Sequence, residues 1–463
     1  MQNTLIENEK KDTFWKSLLV LALPLLVQNL IDSCVGMADT VMLGYVSQTS
    51  LSASSLANNV QFIVGMFLYG MCSGSSVLIA QYWGRGDMDT IERTIGITLR
   101  FTLIVGVLFS LTAGLIPARV MTLYTNDPAL IEVGAKYLRI ISVTYLVNAF
   151  TQVYISSQRA MERALFGTVV NTVELVLNVC LNACFIFGFG PFPELGLTGV
   201  ALATVIARVV GLAICLSDAL RKDMKVRVRI PYLFARKKEL FRDYMHYTLP
   251  ALGEDFSWGL GFSMYSVILG HLGSDIVAAN SYANVARSLS TVVCFAVANA
   301  SAVIMGKVLG ENKLDLGRKY GFRFLVLSFA TGILGGLTIL SAIPLIMRYV
   351  NTTDATAAAK DFLQFMLYVS SVNVIGQSVN TMTMAGIFRA GGDTRYGLIC
   401  DTIIMWGYGV AVGLLLAFVF KVPAKIVYLY LFMDETVKIP INCWRYSKKI
   451  WVKNITRDMS KAE

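Results

Sequence analysis

The residues best placed to do chemistry in this chain are polar groups set inside long apolar stretches. Asp32 and Asp39 stand seven residues apart in one such stretch. At 3.6 residues per helical turn they fall within about 20 degrees of each other on one face, and Gln28 shares the stripe. Farther along, Asn171, Glu174, Asn178 and Asn182 follow a 3-4-4 spacing, and Thr204 adds a hydroxyl in the next stretch. That spacing lines four polar side chains along one face of an otherwise apolar helix, so the face has to point inward. A carboxylate at the centre of a bilayer costs about 2.5–3.5 kcal/mol on insertion scales, which makes intramembrane acids functional candidates. Carboxylate, amide and hydroxyl oxygens replace water around a small hard cation, and a buried carboxylate can instead take a proton. Sodium and proton therefore both remain open as coupling ions.

A second group lies in the other half of the chain. Glu254 and Asp255 precede Trp258 by one helical turn, and Asp401, Tyr265 and Trp406 also lie within apolar stretches. An aromatic face near a carboxylate holds an organic cation through ring quadrupole and charge together. Asp32, Glu174, Glu254, Trp258 and Asp401 are thus expected to line a substrate cavity. Enzyme chemistry has little to work with. The sequence carries no H-E-x-x-H, no G-x-S-x-G and no Walker-type phosphate loop, and its two histidines, His246 and His271, lie near the ends of apolar runs. Eight cysteines without a C-x-x-C pair read as buried thiols, so no cofactor and no metal beyond a sodium ion is expected.

The elements that must hold these groups are membrane spans. Hydrophobic residues make up 55% of the chain and charged residues 15%, where soluble domains sit near 45–50% and about 25%. Apolar runs fall at about 15–43, 54–82, 94–115, 131–155, 166–189, 196–219, 243–269, 277–306, 320–346, 361–387, 397–419 and 423–444. Each is long enough for a hydrocarbon core of about 30 Å. The first is too long for a signal-peptide core and is expected to be retained. Lys and Arg gather in alternate connections: around Lys10, Arg85, Arg159, Arg221–Lys238, Lys313, Arg389 and the tail from Arg445. By the positive-inside rule these connections and both termini of this multi-pass protein are expected to be cytoplasmic. Trp15, Trp83, Trp444 and Trp451 are expected at the interface on that side. The net charge of +10 is distributed between spans rather than on a soluble face, which argues against nucleic acid as a partner and leaves membrane lipids.

The chain also repeats itself. A shift of 226 positions superposes Leu23-Pro24 on Leu249-Pro250, Leu43-Gly44 on Leu269-Gly270, Ala57-Asn58 on Ala283-Asn284, and Gly84 on Gly310 without a gap. With a shift of 230, Arg159-Ala160, Gly167 and Thr172 meet Arg389-Ala390, Gly397 and Thr402. Glu254 then occupies the position of Gln28, and Asp401 that of Asn171. Six spans per half put the repeats the same way up, a design that places substrate between halves near the midplane. The expected architecture is an all-α polytopic membrane protein of twelve transmembrane helices in two pseudo-symmetric six-helix bundles. Its expected parts are an N-terminal lobe over 1–220, a basic cytoplasmic linker over 221–240 and a C-terminal lobe over 241–463.

Four segments together, LALPLLVQNLIDSCVGMADTVMLG, AQYWGRGD, LNACFIFGFG followed by GLTGVALATVIAR, and FRAGGDTR, give the chain a resemblance to the multidrug and toxic compound extrusion (MATE) family over essentially its whole length. The resemblance implies a V of two six-helix bundles in a monomer, and antiport of amphipathic, cationic organic compounds against sodium ions or protons. It also implies a cation site at Asp39, Asn178, Asn182 and Thr204. The sequence departs from the family pattern in three places. Asn182 stands where some members have aspartate. Glu254 sits about one turn before the seventh-span acid of some members, where this chain has Trp258. The tenth span has Asn373, Gln377 and Asn380 but no acid. The alternative function is a flippase for lipid-linked precursors, which calls for basic residues in the cavity, whereas the mid-span charges read as acidic.

Overall fold

The computed structural model describes residues 14–31, 42, 47–188, 193–221, 223, 225–234, 237–352 and 356–458. Asp32 and Asp39 lie outside these. Lipid offers no water to backbone groups, so a spanning segment has to close its hydrogen bonds internally. Each of the twelve apolar runs accordingly carries helix. Among the described residues nine helices are long and apolar enough to cross a membrane by length and composition: α1 Phe14–Ile31, α2 Thr49–Arg85, α3 Met88–Leu115, α7 Ala164–Ile186, α8 Gly196–Ala219, α11 Ser274–Gly310, α12 Leu314–Asn351, α13 Ala357–Phe388 and α14 Thr394–Val419.

The other three expected runs are helical too, but broken or charged. The fourth is built from α5 Pro128–Ile141 and α6 Val143–Ala160, with the short α4 Pro117–Met121 before them. The seventh lies inside α10 Lys238–Gly270, preceded by the short α9 Ile230–Phe234, and the twelfth is divided into α15 Ala424–Phe432 and α16 Asp434–Ser447. In α13 and α14 the turns Met382–Phe388, Thr402–Ala411 and Leu415–Val419 are widened to π geometry. The molecule is an all-helical polytopic membrane protein.

Local chemistry sets where helices start. Ser47 accepts from the Ser50 N–H at 3.0 Å, and Asp87 accepts from the Thr90 N–H at 3.1 Å and its hydroxyl at 2.7 Å. Gly86, at φ +81°, supplies the left-handed residue that lets the chain reverse between α2 and α3. The repeat reappears in these boundaries. The offset of 226 relates Met88 to Leu314 at the starts of α3 and α12, and the offset of 230 relates Ala164 to Thr394 at the starts of α7 and α14.

Contacts gather into two compact units, one of the chain through Leu26 with His246–Arg457, the other of Val27–Met245. In the second, Val60, Val64, Leu68, Tyr145, Ala149, Val200 and Ala201 form a core between α2, α6 and α8. In the first, Ile268, Ala279, Ala283, Leu367, Val427 and Leu431 do the same for α10, α11, α13 and α15. Large apolar side chains such as Leu108, Leu111, Leu115, Leu334 and Leu337 are exposed, as lipid-facing positions must be.

One interfacial expectation is corrected. Trp15 and Trp444 are half exposed, but Trp451 is 1% exposed. The chain after α16 lays its indole over Tyr446, ring centroids 5.2 Å apart, and its Nε1–H donates to the Tyr446 carbonyl at 3.2 Å. Gly321 and Gly391 leave the room, since a Cβ on either would lie within 2.4 Å of Trp451.

Candidate functional site

The predicted polar face of the fifth span is α7, and it packs against α8. Asn182 donates through Nδ2 to Asn178 Oδ1 at 3.1 Å, Asn178 Nδ2 donates to Thr204 Oγ1 at 3.2 Å, and the Thr204 hydroxyl donates to the Val200 carbonyl at 3.0 Å. Three of the four residues expected to hold a cation are thus joined in one hydrogen-bonded chain, with Asn178 and Asn182 buried and Thr204 half-buried; Asp39 is outside the described residues. The Asn178–Thr204 bond ties two helices together, and the same amide and hydroxyl oxygens are the ligand type a small hard cation takes.

One turn toward the start of α7, Glu174 accepts from Arg208 of α8 at 2.5 Å. Gly211 makes room for that carboxylate, because a Cβ there would lie 1.7 Å from Glu174 Oε1. Glu174 is therefore an ion-paired acid.

The unit containing His246–Arg457 holds a denser array. Glu254 and Asp255 both pair with Arg389, at 3.0 and 3.1 Å. Gly397 admits Glu254, since a Cβ there would lie 2.4 Å from Oε2. In the other unit the repeat counterparts keep the same neighbours: a Cβ on Gly167 would lie 3.7 Å from Gln28 Oε1. Asp401 pairs with Lys438 at 2.9 Å, and Lys438 pairs with Glu435 at 3.1 Å. Lys438 is 1% exposed, so its ammonium is solvated by these two carboxylates rather than by water.

Asp434 and Glu435 stand at the break between α15 and α16, where backbone carbonyls leave the helical ladder. Side chains of the tenth span meet them. Asn373 Nδ2 donates to the Phe432 carbonyl at 2.6 Å, and Asn380 Nδ2 donates to the Glu435 carbonyl at 2.6 Å and to its Oε2 at 2.8 Å. Gly376 permits the approach, as a Cβ there would fall 2.9 Å from the Glu435 carbonyl. Burial in protein with side-chain donors brought to the carbonyls of Phe432 and Glu435 is an arrangement that lets irregular backbone exist at membrane depth. Asp434 in turn accepts from the Tyr265 hydroxyl at 3.0 Å and from the Glu435 N–H at 2.7 Å.

Trp258, stacked on Phe262 with centroids 5.8 Å apart, lines a cavity of about 200 Å³ in the same unit. Arg287, Asp434 and Glu435 also reach it, while Glu254 and Asp401 are held in the ion pairs beside it. The acidic reading of the mid-span charges is corrected here. Arg287, Arg389 and Lys438 are all buried within this unit. Arg389 follows an apolar run, as a loop base does, yet its side chain turns inward to Glu254 and Asp255. The sequence signal for Lys438 is the repeat: the offset of 230 relates it to Arg208, so both halves put a base on the last helix to meet an acid.

The MatE family model matches residues 24–184 and again residues 250–419, the two halves separated by the repeat offset. The chain belongs to the MATE family. It is a membrane transporter by that membership, in a family of transporters rather than enzymes. A second model, polysaccharide biosynthesis protein, matches residues 130–305 only. Relatives of this MATE transporter include the uncharacterized transporter YisQ of Bacillus subtilis, 22% identical over 97% of this chain and 98% of that one. The multidrug resistance protein NorM of Photobacterium profundum is 26% identical over 89% of each. Among solved structures, a crystal structure of MATE in the bent conformation superposes with a TM-score of 0.85 at 18% identity, over 94% of this chain and 95% of that one. A MOP superfamily transporter from Pyrococcus furiosus, for which reverse polarity of the binding pocket suggests a different function, gives 0.83 at 18% identity over the same shares. At these identities the structures establish the fold.

Proposed function

We propose that this MATE transporter is a secondary active antiporter of a bacterial plasma membrane, exporting amphipathic cationic organic compounds in exchange for sodium ions or protons. Both termini are cytoplasmic in this reading, and 1–220 and 241–463 act as the two lobes. The coupling cation visits Asp39, Asn178, Asn182 and Thr204. The observation that carries the assignment is the hydrogen-bonded chain from Asn182 through Asn178 to Thr204, oxygen ligands set in an apolar helix pair. A second observation supports the N-terminal location: Glu254, Asp255, Asp401 and Glu435 already have resident cations in Arg389 and Lys438. Relatives named as multidrug resistance proteins support the substrate class.

In this mechanism, drug enters a cavity from the cytoplasm or inner leaflet, the protein turns outward, and cation binding lowers drug affinity. Linkage requires the drug to lower cation affinity by the same factor. Thr204→Val and Asn182→Leu in proteoliposomes test the site. Both should lose ion-driven ethidium transport while the purified variants still bind ethidium. Full transport in both would remove these residues from the cation path. The flippase reading draws on a separate observation, the bases buried beside the C-terminal cavity, and predicts translocation that no ion gradient drives.

A further inference from the structure

The segment between α8 and α10 is docked on its own unit, that of Val27–Met245, and offers apolar side chains outward. Arg229 pairs with Glu92 of α3 at 2.6 Å, the Arg227 N–H donates to the same carboxylate at 2.8 Å, and the Tyr232 hydroxyl donates to Asp89 at 2.6 Å. Arg93 lies over the Tyr232 ring, 4.3 Å from its centroid. Gly96 admits the backbone of α9, since a Cβ there would lie 2.6 Å from the Tyr232 carbonyl oxygen. Val226 is buried, and Val228 packs against the core of Tyr154, Val170 and Cys215. Positive charge alone sets topology, whereas these contacts fix which way α9 faces.

Held this way, α9 turns Ile230 and Phe234 outward, 72% and 75% exposed. A spacing of four puts both on one side of the helical turn. The depth of α9 is set by Gly96, which lies eight residues along α3 from Met88 and inside the apolar run that begins at 94. That is about 12 Å into the helix, where hydrocarbon begins. The segment that follows the last helix of the other half is packed the opposite way, with Trp451 at 1% exposure and Ile455 buried. Both halves end in a strap, and the first leaves its large apolar side chains for a partner outside the chain. The charge of that partner follows from the surroundings: residues 221–242 include nine bases and two acids. Lys225, Arg227, Lys238 and Arg242 are exposed, while Asp89 and Glu92 are engaged by Arg93, Tyr232 and Arg229. Apolar side chains at the edge of the hydrocarbon with bases beside them complement acyl chains beneath a phosphate headgroup. A water-soluble partner protein does not reach side chains at that depth.

We infer that the segment 221–242 is a binding site for anionic phospholipid, in which Ile230 and Phe234 enter among the acyl chains while Lys225, Arg227, Lys238 and Arg242 hold headgroup phosphate. Because this segment joins the two halves of the repeat, bound lipid fastens the connection between them to the membrane surface. The site does not depend on the exporter reading. In a disc whose two leaflets are alike, it does not depend on which side is cytoplasmic either.

The test is hydrogen exchange of peptides from 221–242, measured on the full chain in phosphatidylcholine nanodiscs that contain a rising fraction of phosphatidylglycerol with the same acyl chains. Exchange in the linker should slow as phosphatidylglycerol is added. A base near an anionic surface is worth about a fivefold change in affinity. The fraction giving half-maximal protection should therefore rise about fivefold for each of Lys225→Gln, Arg227→Gln and Lys238→Gln. Ile230→Ser combined with Phe234→Ser should speed linker exchange in both lipids, and Ile230→Leu with Phe234→Leu should restore it. Linker exchange that is equal in the two lipids, a midpoint that the three Gln substitutions together leave in place, or indifference to the Ser pair overturns the proposal. So does equal protection by millimolar glycerol phosphate in phosphatidylcholine discs, which would mark a site for soluble phosphate. The wild-type comparison of the two lipids decides the matter even where a variant does not fold.

Discussion

Replacing Lys438 by Met removes the only cation that meets both Asp401 and Glu435 among the described residues. Methionine is close in length and apolar, so packing changes little while two buried carboxylates lose their counter-ion. Breaking a buried pair by removing one partner costs about 3–5 kcal/mol. A second route to the magnitude gives the same range. The variant can relieve itself by protonating one acid, and taking a carboxylate from an ordinary pKa of about 3.9 to neutral at pH 7 costs about 4 kcal/mol. The same step at pH 5 costs about 1.5 kcal/mol, so the deficit should shrink as the pH falls. Unfolding in mixed micelles of rising SDS content, followed by tryptophan fluorescence at both pH values, measures it. Asp401→Asn in the Lys438→Met background should recover about 2 kcal/mol, because contacting charges couple by 0.5–3 kcal/mol. A single variant within about 1 kcal/mol of the wild type at pH 7, or a deficit equal at the two pH values, would refute the view that Lys438 is the counter-ion.

Two glycines make a matched pair of tests. Gly211→Ala and Gly397→Ala drive a methyl to 1.7 and 2.4 Å from the carboxylate oxygens of Glu174 and Glu254, and each should destabilise by about 1–3 kcal/mol in the same unfolding assay. Adding Glu174→Ala to the first should relieve most of its overpacking, which additive losses would contradict. Asn380→Leu strips the donor from the Glu435 carbonyl and carboxylate, and should cost about 1–3 kcal/mol; hydrogen exchange at the α15–α16 break should rise with it.

The fold was largely legible because its causes are local. Twelve apolar runs follow from bilayer thickness, and the offsets that align Gly84 with Gly310 and Gly167 with Gly397 also align helix starts and the close contacts of Gln28 and Glu254. The break at Met433 was not legible, because what permits it is distant in sequence: the amides of Asn373 and Asn380 and the missing side chain of Gly376. The face that carries Asn178 and Asn182 is readable in the 3-4-4 spacing, since a helix face is a periodic property, whereas the place of Thr204 beside it follows from the family resemblance. The buried bases were not. Arg389 flanks an apolar run as a topology determinant does, whereas Lys438 lies inside the run 423–444, and in both cases the partners reveal that the base points inward.

The central claim is that a mobile cation drives export. Ethidium transport in proteoliposomes under separately imposed sodium and pH gradients tests it most directly. We expect transport under one of the two gradients and its loss in Asp39→Asn. Equal transport with neither gradient imposed, or undiminished transport in Asp39→Asn, would contradict the account.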